Sequence, residues 1–319
     1  KYFDYGLKNM VKSTYGLAVT VVMPVYREEE RHLRLAIESI LDQTWKEFQF
    51  IIILDDSENM QLKNVITGYA ENDSRISFYI NEENKGCPRS KDRGIRLAET
   101  EYVAIMDADD VAKEDRLEKQ MYKITSEELD IVAGCVRVID HNGNLLYCMD
   151  KLPLKHDDIC KKMKVNNCMP HPTWLLRKEA YLSLGGYTDM QGCEDYDFLI
   201  RAIKGKYKLG TVGDILLDYR LSTGSVSRNN LYKQYLMMQY LQDKYYTHKH
   251  NYQSFEELYN QKYTEQRAEK YARASMHFEN ALTHNAGHHY LKMLISMFQV
   301  IFCSRDYCIK IIRYLGQNG

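Results

Sequence analysis

The chain has 319 residues, of which 45% are hydrophobic and 27% are charged, and its formal net charge at pH 7 is -1. This composition is typical of a folded protein with one large or two medium domains, and the near-neutral charge provides no global field that would favour nucleic acid or a membrane surface. The 8 cysteines include no C-x-x-C pair, which predicts free thiols in a reducing cytoplasm. We find neither a signal peptide nor an apolar run long enough to span a bilayer.

The first third of the chain alternates apolar β-forming runs with stretches of helical spacing. The predicted strands are 17–25, 48–54, 76–80 and 102–106. The predicted helices are 33–41, 61–70 and 89–99. This β-α-β-α-β-α-β order indicates a parallel sheet with helices on both faces. No G-x-G-x-x-G follows the first strand and no G-x-x-x-x-G-K-[ST] occurs, so we expect neither a dinucleotide Rossmann site nor a P-loop.

The middle of the chain predicts a change in the sheet. Asn142-Gly143 separates two apolar runs and is a strong hairpin signal, so the sheet should become mixed at this point. The predicted elements are, in order, a helix over 114–125, strands over 131–139 and 145–149, a strand over 171–176 that enters a helix over 178–184, a helix that opens at Glu194 and a strand over 212–219.

From about Asn229 onward helical spacing dominates, and tyrosine-rich stripes predict helix packing rather than a cofactor site. We therefore divide the chain into an N-terminal extension (1–16), an α/β domain (17–228) and a helical region (229–319). The segment 290–302 is apolar nearly all round. Burial or self-association is the favoured interpretation of that segment, and a monotopic membrane contact is the alternative.

Three carboxylates follow the strand 102–106, at Asp107, Asp109 and Asp110. Carboxylates this close repel one another unless a cation lies between them. One interpretation is a divalent metal that holds an anionic substrate, most simply a diphosphate. The other is an acidic loop that caps the next helix.

Polar residues also follow the first two strands, over 26–28 and at Asp55-Asp56. In open α/β sheets the ligand crevice lies outside the carboxyl ends of the strands, so these groups should face the acidic cluster. Asp55 and Asp56 could alternatively form a turn and a helix cap. A sugar hydroxyl that accepted a transferred group would be a poor nucleophile and would need a general base. Asp195 or Glu194, at a predicted helix start, is the best carboxylate outside the acidic cluster for this role. That pair could alternatively serve only the helix dipole.

Six motifs occur in a characteristic order between residues 19 and 227. They are Val22-Met-Pro-Val-Tyr26; Leu41-Asp-Gln-Thr-Trp45; Ile53-Leu-Asp-Asp-Ser57; Asn84-Lys-Gly86 with Arg93-Gly-Ile95; Met106-Asp-Ala-Asp-Asp110 with Asp115-Arg-Leu-Glu-Lys-Gln120; and Gly192-Cys-Glu-Asp-Tyr-Asp197. In these motifs the chain resembles an inverting glycosyltransferase of family 2. The resemblance implies an α/β fold of the GT-A type, Rossmann-like, with a mixed, mostly parallel sheet flanked by helices, and an α-helical C-terminal extension that it does not cover.

The resemblance also implies roles for individual residues. The donor-binding positions are Pro24, Val25, Tyr26, Glu28, Asp56, Gly86, Lys91, Asp107 and Ala108. Asp109, with Asp107, would bind Mn²⁺ or Mg²⁺. Asp195 matches the catalytic base, and Glu194 is its acidic neighbour. His171 and Trp174 fall where acceptor contacts are expected.

The implied reaction moves a sugar from a nucleotide-diphosphate donor, commonly a UDP-sugar, to a saccharide or lipid-linked saccharide acceptor. The implied setting is bacterial polysaccharide or capsule synthesis in the cytoplasm, with peripheral membrane contact or a homodimer through the C-terminal helices and no nucleic acid partner. Two alternatives stay open. Asp107-Ala-Asp109-Asp-Val111 also fits the D-x-D-x-[TV] motif of haloacid-dehalogenase-like phosphatases, and the chain could be a non-catalytic nucleotide-sugar-binding scaffold.

Overall fold

A computed structural model of the chain describes residues 19–190, 192–221, 230–249 and 252–315. The expected extension over 1–16 lies outside the described residues. So does the expected boundary near 228, and the division into domains therefore stays a prediction.

A mixed sheet of nine strands forms the frame of the described chain. The strands are β1 (Val19–Val25), β2 (Phe48–Leu54), β3 (Ile76–Ile80), β4 (Tyr102–Ile105), β5 (Val111–Ala112), β6 (Ile131–Ile139), β7 (Leu145–Met149), β8 (Leu175–Arg177) and β9 (Leu209–Arg220). Their spatial order is β3-β2-β1-β4-β8-β6-β9-β5, and β7 pairs with β6 outside this path.

The first four strands are parallel, as their alternation with helices predicts. Every residue of β1 is buried, because this strand lies in the middle of the sheet with helices on both faces. The sheet becomes mixed where β8 inserts antiparallel between β4 and β6. The predicted hairpin of β6 and β7 is confirmed at its expected bounds. The four parallel carboxyl ends therefore open on one edge.

Twelve α-helices surround the sheet in the described residues. They are α1 (Glu30–Leu41), α2 (Met60–Asn72), α3 (Cys87–Leu97), α4 (Arg116–Ser126), α5 (His156–Met163), α6 (Lys178–Ser183), α7 (Glu194–Lys204), α8 (Leu231–Gln242), α9 (Phe255–Lys262), α10 (Glu265–Ala286), α11 (Tyr290–Cys303) and α12 (Arg305–Leu315). The start of α3 differs from the prediction by two residues. Gly86, at a φ of 81°, provides the bend, and Pro88 fits the first turn of a helix.

The C-terminal helices share a hydrophobic core with the α/β domain. Tyr235 and Tyr271 are buried in the same cluster as Phe198 and Leu241, which confirms that the tyrosine stripes are packing surfaces. Burial of the segment 290–302 is a wrong expectation, however, because most of α11 is exposed. Within the described residues no helix is both long enough and apolar enough to cross a bilayer.

Candidate active site

The acidic turn that follows β4 is held from two sides. The amide of Met106 donates to the carbonyl of Val22 at 3.0 Å, so the pairing of β4 with β1 guides the chain into the turn. At its other end, the amide of Arg220 donates to a side-chain oxygen of Asp110 at 2.8 Å. The guanidinium of Arg220 donates to the carbonyl of Asp109 at 2.8 Å. Arg220 ends β9, so the far part of the sheet fixes this turn.

The carboxylates of this turn are crowded and partly withdrawn from water. Burial and then the charge of Asp107 raise the pKa of Asp109 to about 6. Asp110 is wholly buried, and burial together with both neighbouring carboxylates raises its pKa well above the usual range. Its Oδ2 has no hydrogen-bond partner among the described residues. Repelling carboxylates with an unpaired buried oxygen form a donor set that fits Mg²⁺ or Mn²⁺.

A buried arginine lies beneath the turn. Arg116 starts α4 and donates to the carbonyl of Ile105 at 2.6 Å and to the side chain of Gln120 at 3.0 Å. Burial lowers its pKa to about 10, although Asp110 and Asp107 oppose this shift. Its position is fixed by these hydrogen bonds, so its charge offsets part of the repulsion in the turn.

Lys91 brings a second buried cation to the site from α3. Its side chain is only 3% exposed, and its Nζ lies 2.6 Å from Oδ1 of Asp107. Burial alone would lower the pKa of Lys91, but the charges of Asp107, Cys87 and Glu194 and the hydrogen bond to Asp107 together outweigh burial, and the pKa is raised. The amine therefore stays protonated at any physiological pH.

Glu28 brings the end of β1 to the same place. Its carboxylate accepts a hydrogen bond from the amide of Tyr26 at 2.7 Å. Burial raises its pKa to about 7, and the nearby charges of Asp109 and Asp107 act in the same direction. The expectation that the first and fourth strand ends face one crevice is thereby met in the geometry.

Asp55 and Asp56 adjoin in the chain but differ in their surroundings. Asp55 is buried and accepts hydrogen bonds from the side chain of Asn81 at 2.6 Å and from the amides of Lys85 at 2.9 Å and Gly86 at 2.8 Å. Because those amides belong to the loop before α3, Asp55 shapes that loop. We assign it a structural role.

Asp56 lies at the mouth of the crevice. One carboxylate oxygen accepts from Nε of Arg27 at 3.0 Å and the other from the amide of Glu58 at 3.3 Å. Arg27 also lies 4.8 Å over the ring of Tyr26, which is 36% exposed. The side chain that caps α2 is Asn59, so capping does not account for Asp56. An exposed ring beside a carboxylate and a guanidinium is a suitable platform for a nucleoside base.

Four of the predicted donor-binding residues have buried side chains, namely Pro24, Val25, Lys91 and Ala108. The carbonyl of Val25 also accepts the amide of Asp55 at 2.7 Å, which ties the ends of β1 and β2 together. The side chains of Val25 and Ala108 are therefore not accessible to a donor. Only their main-chain atoms are left for such contact.

Asp195 lies in the first turn of α7, on the other side of the crevice. Its carboxylate accepts hydrogen bonds from the side-chain amide of Asn167 at 2.8 Å and from the amide of Tyr196 at 2.7 Å. Burial, and then the charge of Glu194, raise its pKa to about 7, while Lys91 opposes the rise. Glu194 turns back to accept the amide of Gly192 at 2.6 Å. Both carboxylates are half-buried and held by hydrogen bonds, and Asp195 is the one that Asn167 contacts.

Lys91 connects the two walls of the crevice. It is paired with Asp107 after β4, and its charge also acts on Glu194 and Asp195 at the start of α7. Residues 107 and 195 are far apart in sequence, yet one buried amine lies within electrostatic reach of both. The candidate metal ligands and the candidate base therefore belong to one site.

The two predicted acceptor residues differ. His171 is half-buried, and its Nε2 lies 2.7 Å from the hydroxyl of Tyr187. Burial, with Lys91, lowers its pKa well below the usual range, so the ring is neutral. Trp174 is wholly buried, and its indole donates to the carbonyl of Met169 at 3.1 Å. Trp174 packs beneath His171, with the two ring centroids 4.5 Å apart, and its contact with an acceptor stays a prediction.

Sequence reasoning missed four residues that position this site: Asn167, Asn81, Arg116 and Arg220. Arg116 and Arg220 each lie beside an acidic residue in a recognisable segment, which is a signal that could have been used. Asn167 lies in a loop without periodicity, and only the three-dimensional contact with Asp195 reveals it. Ser222, which stands where many members of the resembled family carry a histidine, lies outside the described residues.

Comparison with known proteins agrees with this geometry. The profile of the family "Glycosyl transferase family 2" matches residues 20–185, which is more than half of the chain. An uncharacterized glycosyltransferase of Methanocaldococcus jannaschii is 34% identical over 232 residues, which are 71% of this chain and 80% of that protein. The chain belongs to glycosyl transferase family 2.

Another relative of this glycosyltransferase is named for O-antigen biosynthesis. The O-antigen biosynthesis glycosyltransferase WbnJ of Escherichia coli is 29% identical and covers 67% of this chain and 83% of its own. The fold is also shared with TarS of S. aureus, solved in complex with UDP-GlcNAc. The TM-score is 0.57 at 15% identity, over 89% of this chain and 90% of that one. This likeness confirms the expected GT-A type of α/β fold.

Proposed function

We propose that this glycosyltransferase moves a sugar from a UDP-sugar to a hydroxyl of a saccharide or lipid-linked saccharide. The observation that carries the proposal is Lys91, whose Nζ lies 2.6 Å from Asp107 of the acidic turn and whose charge also acts on Asp195. A transfer of this kind needs both a site for a diphosphate and a separate base, and the crevice offers both.

The donor half of the site suits a nucleoside diphosphate. Tyr26 and Asp56 offer a ring and a hydrogen-bond acceptor at the mouth, while Asp107 and Asp109 lie deeper, at the end of β4. Carboxylates would repel a diphosphate unless a divalent cation lay between them, and Asp109 with Asp107 would hold that cation. A bound Mn²⁺ or Mg²⁺ would supply positive charge to the leaving diphosphate. The TarS structure with UDP-GlcNAc supports the choice of uridine.

The acceptor half of the site suits proton removal. A carboxylate with a pKa near 7 is about half ionised at neutral pH and is a stronger base than an ordinary aspartate. Asp195 takes the proton of the acceptor hydroxyl as that oxygen forms its bond to the anomeric carbon. The bond from that carbon to the diphosphate breaks, and the nucleoside diphosphate leaves with its electron pair. Attack from the face opposite the leaving group inverts the configuration.

The names of relatives support an acceptor in surface polysaccharide synthesis. WbnJ is named for O-antigen biosynthesis, and AmsE of Erwinia amylovora, 25% identical over 66% of this chain, is named for amylovoran biosynthesis. Both products are bacterial polysaccharides, so we propose a growing or lipid-linked saccharide as the acceptor and the cytoplasm as the place of reaction.

The first test is a thermal-shift panel of nucleoside diphosphates with and without Mn²⁺. A ligand that binds only the folded state raises the melting temperature. We expect UDP with Mn²⁺ to stabilise the parent and the gain to disappear in Asp109→Ala. The matched control is Asp158→Ala, which removes an exposed carboxylate on α5 and should retain the gain.

The second test is release of UDP from a panel of UDP-sugars with saccharide acceptors, with the anomeric configuration of the product read by NMR. If no nucleoside diphosphate stabilised the parent with any metal, the donor assignment would fall. If Asp109→Ala kept the full gain from UDP and Mn²⁺, the metal assignment would fall. A product that retained the donor configuration would contradict the single displacement.

A further inference from the structure

Helix α11 presents a row of large apolar side chains to the outside of the protein. Six of them are more than half exposed, and Leu291 and Phe302 reach 74%. These six, which we call the apolar face, are Leu291, Leu294, Ile295, Phe298, Ile301 and Phe302. At 3.6 residues per turn they fall within one arc of about 120°. Soluble proteins rarely leave so large a contiguous apolar patch uncovered, so the apolar face indicates a partner.

The opposite side of the helix fixes this orientation. Ser296 and Val300 are buried, and Val300 belongs to the hydrophobic cluster that also contains Tyr271 and Tyr307 of the neighbouring helices. The helix cannot turn its apolar face inward without withdrawing these residues from the core. The exposure is therefore a consequence of how α10, α11 and α12 pack.

Helix α11 and its flanking residues contain basic but no acidic side chains. The sequence has no aspartate or glutamate from residue 280 to residue 305. Lys292 and Arg305 are exposed on this segment, and Arg313 is exposed on α12. The next acidic residue, Asp306, is drawn inward and accepts the hydroxyl of Tyr232 at 2.8 Å.

We propose that the apolar face docks on the surface of an anionic phospholipid bilayer, with α11 lying in the plane of the interface. A helix with one apolar side and a basic border binds in this way, through apolar burial and attraction to acidic headgroups. No described helix is long and apolar enough to cross the bilayer, so the contact is one of surface binding.

A second copy of the chain is a poorer occupant of the same face. In a two-fold dimer the same patch meets itself. Lys292 and Arg305 of the two copies would then approach one another, and this segment has no carboxylate to pair with them. An acidic lipid surface provides the missing negative charge.

The test is flotation of the full chain with vesicles of phosphatidylcholine, with and without phosphatidylglycerol. We expect at least about tenfold more protein on the anionic vesicles at low salt, since each basic residue near such a surface contributes about fivefold. Phe298→Glu should lower this binding by about tenfold or more, because it places a charge in the apolar face. Leu35→Glu, at an exposed apolar position on α1, should bind like the parent.

The outcomes separate docking from catalysis. Both variants should keep the thermal shift with UDP and Mn²⁺, which also shows that they fold. Absence of vesicle binding by a parent that keeps this shift overturns docking and leaves the proposed function intact. Unchanged binding by Phe298→Glu, or equal binding to neutral and anionic vesicles, also overturns it. A dimer in light scattering that Phe298→Glu dissociates, without vesicle binding, would assign the face to self-association instead.

Discussion

Replacing Asp195 by asparagine should make the protein more stable and the enzyme nearly inactive. The folded protein raises the pKa of this carboxyl to about 7, from a usual value of 3.8. The unfolded chain therefore loses this proton at a lower pH than the folded protein does. From about pH 4 to pH 7 the unfolded state binds fewer protons, so the free energy of unfolding falls as the pH rises. Asparagine has no such proton to lose.

The size of this effect follows from the two pKa values. One pKa unit corresponds to about 1.4 kcal/mol, so the ionisation of Asp195 lowers stability by at most about 4 kcal/mol above pH 7. At pH 5 the same relation gives about 1.5 kcal/mol. The variant also loses the hydrogen bond from Asn167, at about 1 kcal/mol, but that loss is the same at both pH values. The stability gain should therefore be about 2.5 kcal/mol larger at pH 8 than at pH 5.

The assay is urea unfolding at pH 5 and pH 8, in EDTA and without nucleotide, so that no bound cation alters the titration. Asp158→Asn, which changes an exposed carboxylate, should show no such dependence on pH. In the transfer assay the kcat of Asp195→Asn should fall by roughly 10²- to 10⁴-fold. The acid limb of kcat/KM, near pH 7 in the parent, should be absent from the residual activity. An equal stability gain at both pH values would refute the raised pKa, and parental kcat would refute the base assignment.

Two further replacements test the supports of the site. Asn167→Ala removes the amide that donates to Asp195, so the pKa of Asp195 should rise. The acid limb of kcat/KM should then move to higher pH, with little change in the KM for the donor. An unmoved limb would mean that Asn167 has only a structural role. Trp174→Ala should lower the free energy of unfolding in urea by about 3 to 5 kcal/mol, as expected for a fully buried aromatic side chain. A stability close to that of the parent, together with a raised KM for the acceptor, would support the predicted acceptor contact of Trp174.

The strands were predictable because their apolar runs are short and bounded by polar residues. β2, β3, β6 and β7 have the bounds that the sequence predicts. The meeting of the strand ends was predictable for a related reason, since parallel strands bring their carboxyl ends to one edge. Glu28 and Asp107 illustrate this. Each follows the end of its strand, and the charge of Asp107 contributes to the raised pKa of Glu28.

Long-range contacts were not predictable from local pattern. β8 has three residues, and no periodicity could place it between β4 and β6. Arg220 reaches Asp110 across a separation of 110 residues. Trp174 matches a functional stretch of the family, but a motif does not show which way an indole faces. The apolar segment 290–302 illustrates the same limit. The helical period of a sequence predicts how wide an apolar face is, but it does not show whether other parts of the protein bury that face.

The crevice brings together carboxyl groups that repel one another in the protein without ligands. Burial raises the pKa of Glu28, Asp109, Asp110 and Asp195. The cations beside these carboxyls are already engaged, because Lys91 pairs with Asp107 and Arg220 donates to the carbonyl of Asp109. Stability alone would not select four carboxyls with raised pKa values in one crevice, because each of them lowers the free energy of unfolding when it ionises in the folded state. A divalent cation would bind between the carboxylates of the acidic turn, and an acceptor hydroxyl would give its proton to Asp195. The raised pKa values therefore support the proposed chemistry independently of the family motifs.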